Sequence, residues 1–145
     1  MNDILVRPFA EGDEPALAAL ITELGYPSTS QQIHARMVAI RADPDHATLL
    51  AVTASGEVIG MVGTFTTISY EHDTPIGRIT GLIVSEKARR TGVGRRLMAE
   101  AETWVRSRGC NQLTLTTHLR RTEAHEFYRR LGYEETGKRF VRRFR

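Results

Sequence analysis

Apolar residues at Leu17, Leu20, Ile21 and Leu24 recur at three- and four-residue spacing, which predicts an amphipathic helix opened by Asp13 and stopped by Gly25. Ahead of it, Ile4 to Phe9 (ILVRPF) predicts a short first strand. A second helical stripe, Ile33, Met37 and Ile40, follows a Ser28/Gln31 pair at capping-box spacing and ends at Asp43-Pro44. The pattern then changes period. TLLAVTASGEVIGMVGTFTTI predicts two strands about a turn at Ser55-Gly56, and Ile76 to Val84 (IGRITGLIV) a third, with Gly81 marking a bulge. Helical spacing returns at Val93, Leu97, Ala101, Trp104 and Val105, with Gly109 after it. Gln112 to Thr117 alternates as a strand, Thr122 opens a helix with Ala124, Phe127, Tyr128 and Leu131 on one face, and Tyr133 onward (YEETGKRFVRRF) predicts a last strand. The order βααβββαβαβ predicts a single α/β domain over residues 1–145.

Composition narrows the class. At 145 residues and 16.3 kDa the chain suits one core. A lone cysteine, Cys110, excludes an internal disulfide and predicts a buried filler rather than a nucleophile. No apolar run has the length of a membrane span and no signal-peptide pattern opens the chain, so the expectation is a cytoplasmic protein with no membrane partner. None of the five histidines pairs with another at ligand spacing beside a carboxylate or Cys110, and no metal is expected. The net charge of +3 is unevenly laid out: residues 1–85 carry four basic and ten acidic side chains (−6), residues 86–145 sixteen and seven (+9). The C-terminal half should therefore attract an anion.

That anion has an obvious place to go. VSEKARRTGVGRRLMAE (84–100) puts glycines where a strand feeds a helix. Gly92 and Gly94 let backbone approach a ligand, unpaired N–H groups of the first helical turn point outward, and Arg89, Arg90 and Arg95 add positive field. A solvated basic surface is the alternative reading of the same residues. No GxxxxGK[ST] is present, and GVGRRL lacks the third glycine of the dinucleotide fingerprint.

Arg89-Arg90-Thr91-Gly92-Val93-Gly94 resembles the acetyl-CoA signature [Q/R]-x-x-G-x-[G/A] of the GNAT superfamily of N-acetyltransferases. Arg121, 27 residues past Gly94, opens RTEAHEFYRRLGY, which resembles the family's A-x-x-F-Y-x-x-x-G-[F/Y]; its R-x-x-A-H-x-F-Y is similar to the aminoalkylphosphonate N-acetyltransferase subgroup. The resemblance implies a central, mixed, mostly antiparallel sheet with helices on both faces, in which strands 76–84 and 112–117 splay. It implies acetyl-CoA as cosubstrate, its pyrophosphate on Arg89, Arg90, Thr91, Gly92, Val93, Gly94 and Arg95, and its pantetheine arm along the backbone of Leu82, Ile83 and Val84. The Leu82 N–H would polarise the thioester carbonyl, and Arg121 would contact the cofactor. Tyr128, which its residues alone place on an apolar helix face, would by resemblance be the general acid. His118 either lines the site or sits in an exposed loop.

The resemblance leaves the base unassigned, because Arg78, Thr80 and Gly81 stand where many relatives carry an acid. Glu71 and Asp73, with His72 between them, are the nearest carboxylates in sequence, and Glu71 is taken as the candidate base, with a water chain to backbone carbonyls as the alternative. Arg78 suits an acceptor that pairs its amine with an acidic group, so the expected partner is a small-molecule amine. A peptide or lysine acceptor, a non-catalytic acetyl-CoA sensor and a basic RNA-binding module are the alternatives. Sparse aromatics among the basic residues weigh against nucleic acid, and a homodimer stays open.

Overall fold

The computed structural model describes residues 3–117 and 119–144. The chain forms two compact units, Met1–Thr114 and Leu115–Arg145. The first carries β1 (Leu5–Pro8), α1 (Glu14–Leu24), α2 (Ser30–Ala42), β2 (His46–Val52), β3 (Val58–Thr67), β4 (Ile76–Val84), α3 (Val93–Ser107) and β5 (Leu113–Thr114). Its sheet runs β1-β2-β3-β4-β5, antiparallel from β1 to β4 and parallel between β4 and β5. This is the mixed, mostly antiparallel sheet that the family resemblance implies. The second unit contains α4 (Thr122–Arg130), a turn at Gly132 and an irregular segment over 133–144.

Opposite sheet faces carry different helices. On one, Leu17 and Leu20 of α1 and Ile33 and Met37 of α2 bury against Leu50, Met61 and Ile83. Each such aliphatic side chain contributes about 1.5–3 kcal/mol when fully buried. Neighbouring strand residues point to opposite faces, and a Cβ on Gly60, next to Met61, would lie 3.0 Å from Leu97 Cδ1 and 3.2 Å from Val93 Cγ1. Thus α3 packs on the second face through Val93, Leu97, Met98, Ala101 and Val105, all buried. At Gly77 the approach is tighter still: a Cβ there would meet Val105 Cγ1 at 2.7 Å.

Several local expectations are corrected. The capping box is Thr29/Gln32, not Ser28/Gln31: Gln32 N–H donates to Thr29 Oγ1 at 3.1 Å and Thr29 N–H to Gln32 Oε1 at 2.9 Å. Asp13 stands at the first N-cap without capping, since its carboxylate is taken by Arg7 at 2.8 and 3.0 Å and by the Ala10 N–H. The Arg7 guanidinium holds that carboxyl below its usual range, outweighing the effect of burial. Arg121, not Thr122, occupies the N-cap of α4. The strand expected over 112–117 ladders only at Leu113–Thr114, and the one expected after Tyr133 has no ladder. Alternating sequence supplies propensity, but a strand exists only where a neighbouring edge accepts its N–H and C=O groups.

Candidate active site

The site begins in an irregularity of β4. Its register against β3 runs Thr64↔Ile79 and then Gly63↔Gly81, leaving Thr80 as the extra residue. The bulge was expected at Gly81 and falls one residue earlier. Opposite it, buried Thr64 donates from Oγ1 to the Arg78 carbonyl at 2.8 Å, and the Thr80 hydroxyl fills the space that a Cβ on Gly63 would need, at 2.6 Å.

One inserted residue changes which edge each peptide serves. Before the bulge, Gly77 N–H points to the β5 side and donates to Gln112 O at 3.0 Å. After it, Ser85 N–H points the other way, to Ile59 O at 2.8 Å. Alternation then turns Gly81 and Ile83 toward β3, and Leu82 and Val84 toward the β5 side. Yet β5 pairs with β4 only at Gly77 and Arg78. Leu82 N–H and C=O and the Val84 N–H therefore lie on an edge that β5 does not cover, the arrangement a strand-like ligand needs, while the Val84 carbonyl accepts from Arg89 Nε at 3.4 Å.

A turn follows. Residues Glu86–Ala88 make one turn of 3₁₀-helix, Arg89 is extended, Arg90 adopts a left-handed φ of 64°, and Gly92, at φ 90°, is the N-cap of α3. Thr91 Oγ1 donates to the Ala88 carbonyl. Val93 is buried and anchors the helix start, whereas Arg89, Arg90, Thr91, Gly92 and Arg95 are exposed and Gly94 is half-buried. No side chain caps this helix, its first turn carries no acid, and space is open where a Gly92 Cβ would stand. Leading N–H groups, the helix dipole and exposed arginines give this turn features that suit a pyrophosphate. Arg96 is committed elsewhere, to the Ile4 carbonyl at 3.1 Å.

In the second unit Tyr128 is half-buried, edge-to-face with Phe127 at 5.2 Å and with Tyr133 at 5.9 Å. Burial pushes its phenol above the ordinary tyrosine range, and the Arg121 charge pulls partly back. Such a phenol stays protonated at neutral pH and can donate. Cys110 is buried, as expected of a filler, and burial pushes its thiol up.

Glu71, His72 and Asp73 are exposed in the loop joining β3 to β4. From Ile76, where β4 starts, six residues lead to Leu82, roughly 20 Å of strand. Arg78 is exposed on β4 opposite Phe65, which stacks on His46 at 5.0 Å. His118 lies outside the described residues. Sequence reading missed the roles of Thr80 and Gly63; a glycine-flanked position in a strand was the available signal, accurate to one residue.

Residues 14–133 match the Acetyltransferase (GNAT) family. An aminoglycoside N(6')-acetyltransferase type 1 of Stenotrophomonas maltophilia is 33% identical over 102 residues, 66% of this chain and 64% of that protein. The aminoalkylphosphonate N-acetyltransferase of Salmonella typhimurium is 35% identical over 88 residues, 61% of this chain and 57% of that protein. Both matches thus span less than two thirds of the relative's length. A crystal structure of a GNAT family acetyltransferase from Staphylococcus aureus superposes with a TM-score of 0.84 at 25% identity, covering 98% of this chain and 99% of that one. The chain belongs to the acetyltransferase (GNAT) family, a class of acetyl-transferring enzymes. Among the described residues no helix is long and apolar enough to cross a membrane.

Proposed function

We propose that this chain transfers the acetyl group of acetyl-CoA to the amine of a small molecule that also carries an acidic group. The observation that supports the cosubstrate best is the coincidence, on adjoining segments, of the uncovered Leu82–Val84 edge and the uncapped, acid-free, arginine-rich turn Arg89–Gly94. The thioester supplies an activated acyl group. The chain's part is to bind and orient: backbone groups of Leu82 and Val84 hold the pantetheine arm, whereas those of Ile83, expected to share that role, are turned to β3; Leu82 N–H donates to the thioester carbonyl oxygen, and the turn with Arg95 takes the phosphates. Tyr128 holds a proton at Oη for the departing thiolate. Glu71, in the loop ahead of β4, is the candidate base; with Asp73 it steers an incoming ammonium, whose proton leaves to the carboxylate or through water.

Arg78 favours an acidic acceptor, because an exposed guanidinium on the same strand can pair bidentately with a carboxylate or phosphonate. The named aminoalkylphosphonate enzyme supports this choice; the aminoglycoside enzyme supports a polycationic acceptor as the second reading.

The deciding experiment is cofactor binding. CoA at 100 times its Kd should stabilise the folded protein by about 2.7 kcal/mol. Gly92→Asp, which sets a carboxylate at the mouth of the turn, should abolish that shift. Wild-type CoA affinity in a folded Gly92→Asp protein would reject the pyrophosphate site.

A further inference from the structure

We propose that Glu23, near the end of α1, is the positioning residue of the anion-binding turn, an inference that rests on reading Arg89–Gly94 as the pyrophosphate site. Glu23 Oε2 accepts the Glu86 N–H at 2.8 Å, across 63 residues of sequence. The same oxygen lies 4.0 Å from Arg89 Nη2. Glu86 opens the 3₁₀ turn, and Ser85 before it makes no side-chain cap. The leading N–H is therefore capped from α1, by a full negative charge, which strengthens the bond.

Arg89 closes that turn. Its N–H lies 3.3 Å from the Glu86 carbonyl and its Nε 3.4 Å from the Val84 carbonyl. One carboxylate oxygen thus reaches both ends of the four-residue segment that aims Arg89. Exposed ion pairs ordinarily contribute little, and the nearby Lys87–Glu57 pair, with side chains 63% and 48% exposed, is of that kind. Glu23 differs in binding backbone as well as guanidinium, with its own side chain 33% and that of Arg89 55% exposed. An open groove lined by Ala19, Leu20, Glu23, Ser85, Glu86 and Lys87 runs beside the contact, so the turn has room to drift once the carboxylate is gone. Holding the turn in place spares the anion the entropic cost of ordering it.

The test compares CoA affinity by calorimetry in the wild type, Glu23→Ala, Glu23→Gln and Gly92→Asp. Glu23→Ala should weaken CoA binding about tenfold and raise the acetyl-CoA KM while leaving the acceptor KM within about twofold. Glu23→Gln keeps an oxygen for the Glu86 N–H and should recover most of the loss. Wild-type CoA affinity in Glu23→Ala, alongside lost binding in Gly92→Asp, overturns the role of Glu23 and leaves the pyrophosphate site standing. Equal rises in both KM values with equal losses of Tm in the alanine and glutamine variants overturn it as well, since that pattern is general loosening. Wild-type affinity in Gly92→Asp removes the pyrophosphate site, and the role of Glu23 with it.

Discussion

Tyr128 carries two readings that chemistry can separate. Its ring finishes an apolar helix face beside Phe127 and Tyr133, yet burial holds its hydroxyl protonated beyond the ordinary tyrosine range. An acid with a raised pKa keeps its proton through mildly alkaline pH, so activity that depends on it should persist there. Tyr128→Phe should leave CoA affinity nearly unchanged and lower kcat by about 10²–10⁴-fold, the usual contribution of a general acid. An unchanged single-turnover rate would return Tyr128 to packing alone. The sequence alone points to packing; the family resemblance brought out the acid, because spacing records where a ring falls on a helix and nothing of its proton.

The helix that bears the turn depends on the strand beneath it. Gly77 and Gly60 let α3 approach β4 and β3, and at Gly77 a methyl group would press on Val105 Cβ at 2.9 Å and Leu113 Cδ1 at 3.1 Å. Val105 is buried and β-branched, so it has little freedom to yield. Gly77→Ala should therefore cost about 1–3 kcal/mol in chemical denaturation, as overpacking does. Gly137→Ala, with nothing within 4 Å of its added Cβ, should stay within about 0.5 kcal/mol of wild type. Helices α1, α2 and α3 were legible because a single apolar stripe at period 3.6 encodes each. By contrast β5 was overread by four residues, since its length depends on where β4 stops pairing with it rather than on its own alternation.

Charge is laid out over the whole chain, −6 before residue 86 and +9 after it. Part of that imbalance is consumed internally: Glu23 and Glu57 of the acidic half contact Glu86, Arg89 and Lys87 at the start of the basic one. Glu71, Asp73 and Arg78 remain exposed, and the proposed acceptor would offer its amine to the two carboxylates and its acidic group to the guanidinium. Arg78→Ala should accordingly raise KM for an aminophosphonate or amino acid by about tenfold or more, the scale of a lost charged hydrogen bond, and leave KM for a plain alkylamine little changed. Faster turnover of kanamycin than of every acidic amine tested would overturn this choice in favour of the aminoglycoside reading. The family, the glycine turn ahead of α3 and the helix order stood in the amino-acid order itself, because glycine spacing and apolar periodicity are local properties that survive without a fold. Tertiary structure alone decided that Thr80 is the inserted residue, that Leu82 and Val84 rather than Ile83 face the uncovered edge, and that Glu23 reaches Glu86. Each of these depends on the register of one strand against another or on a contact between residues far apart in sequence, and packing fixes both.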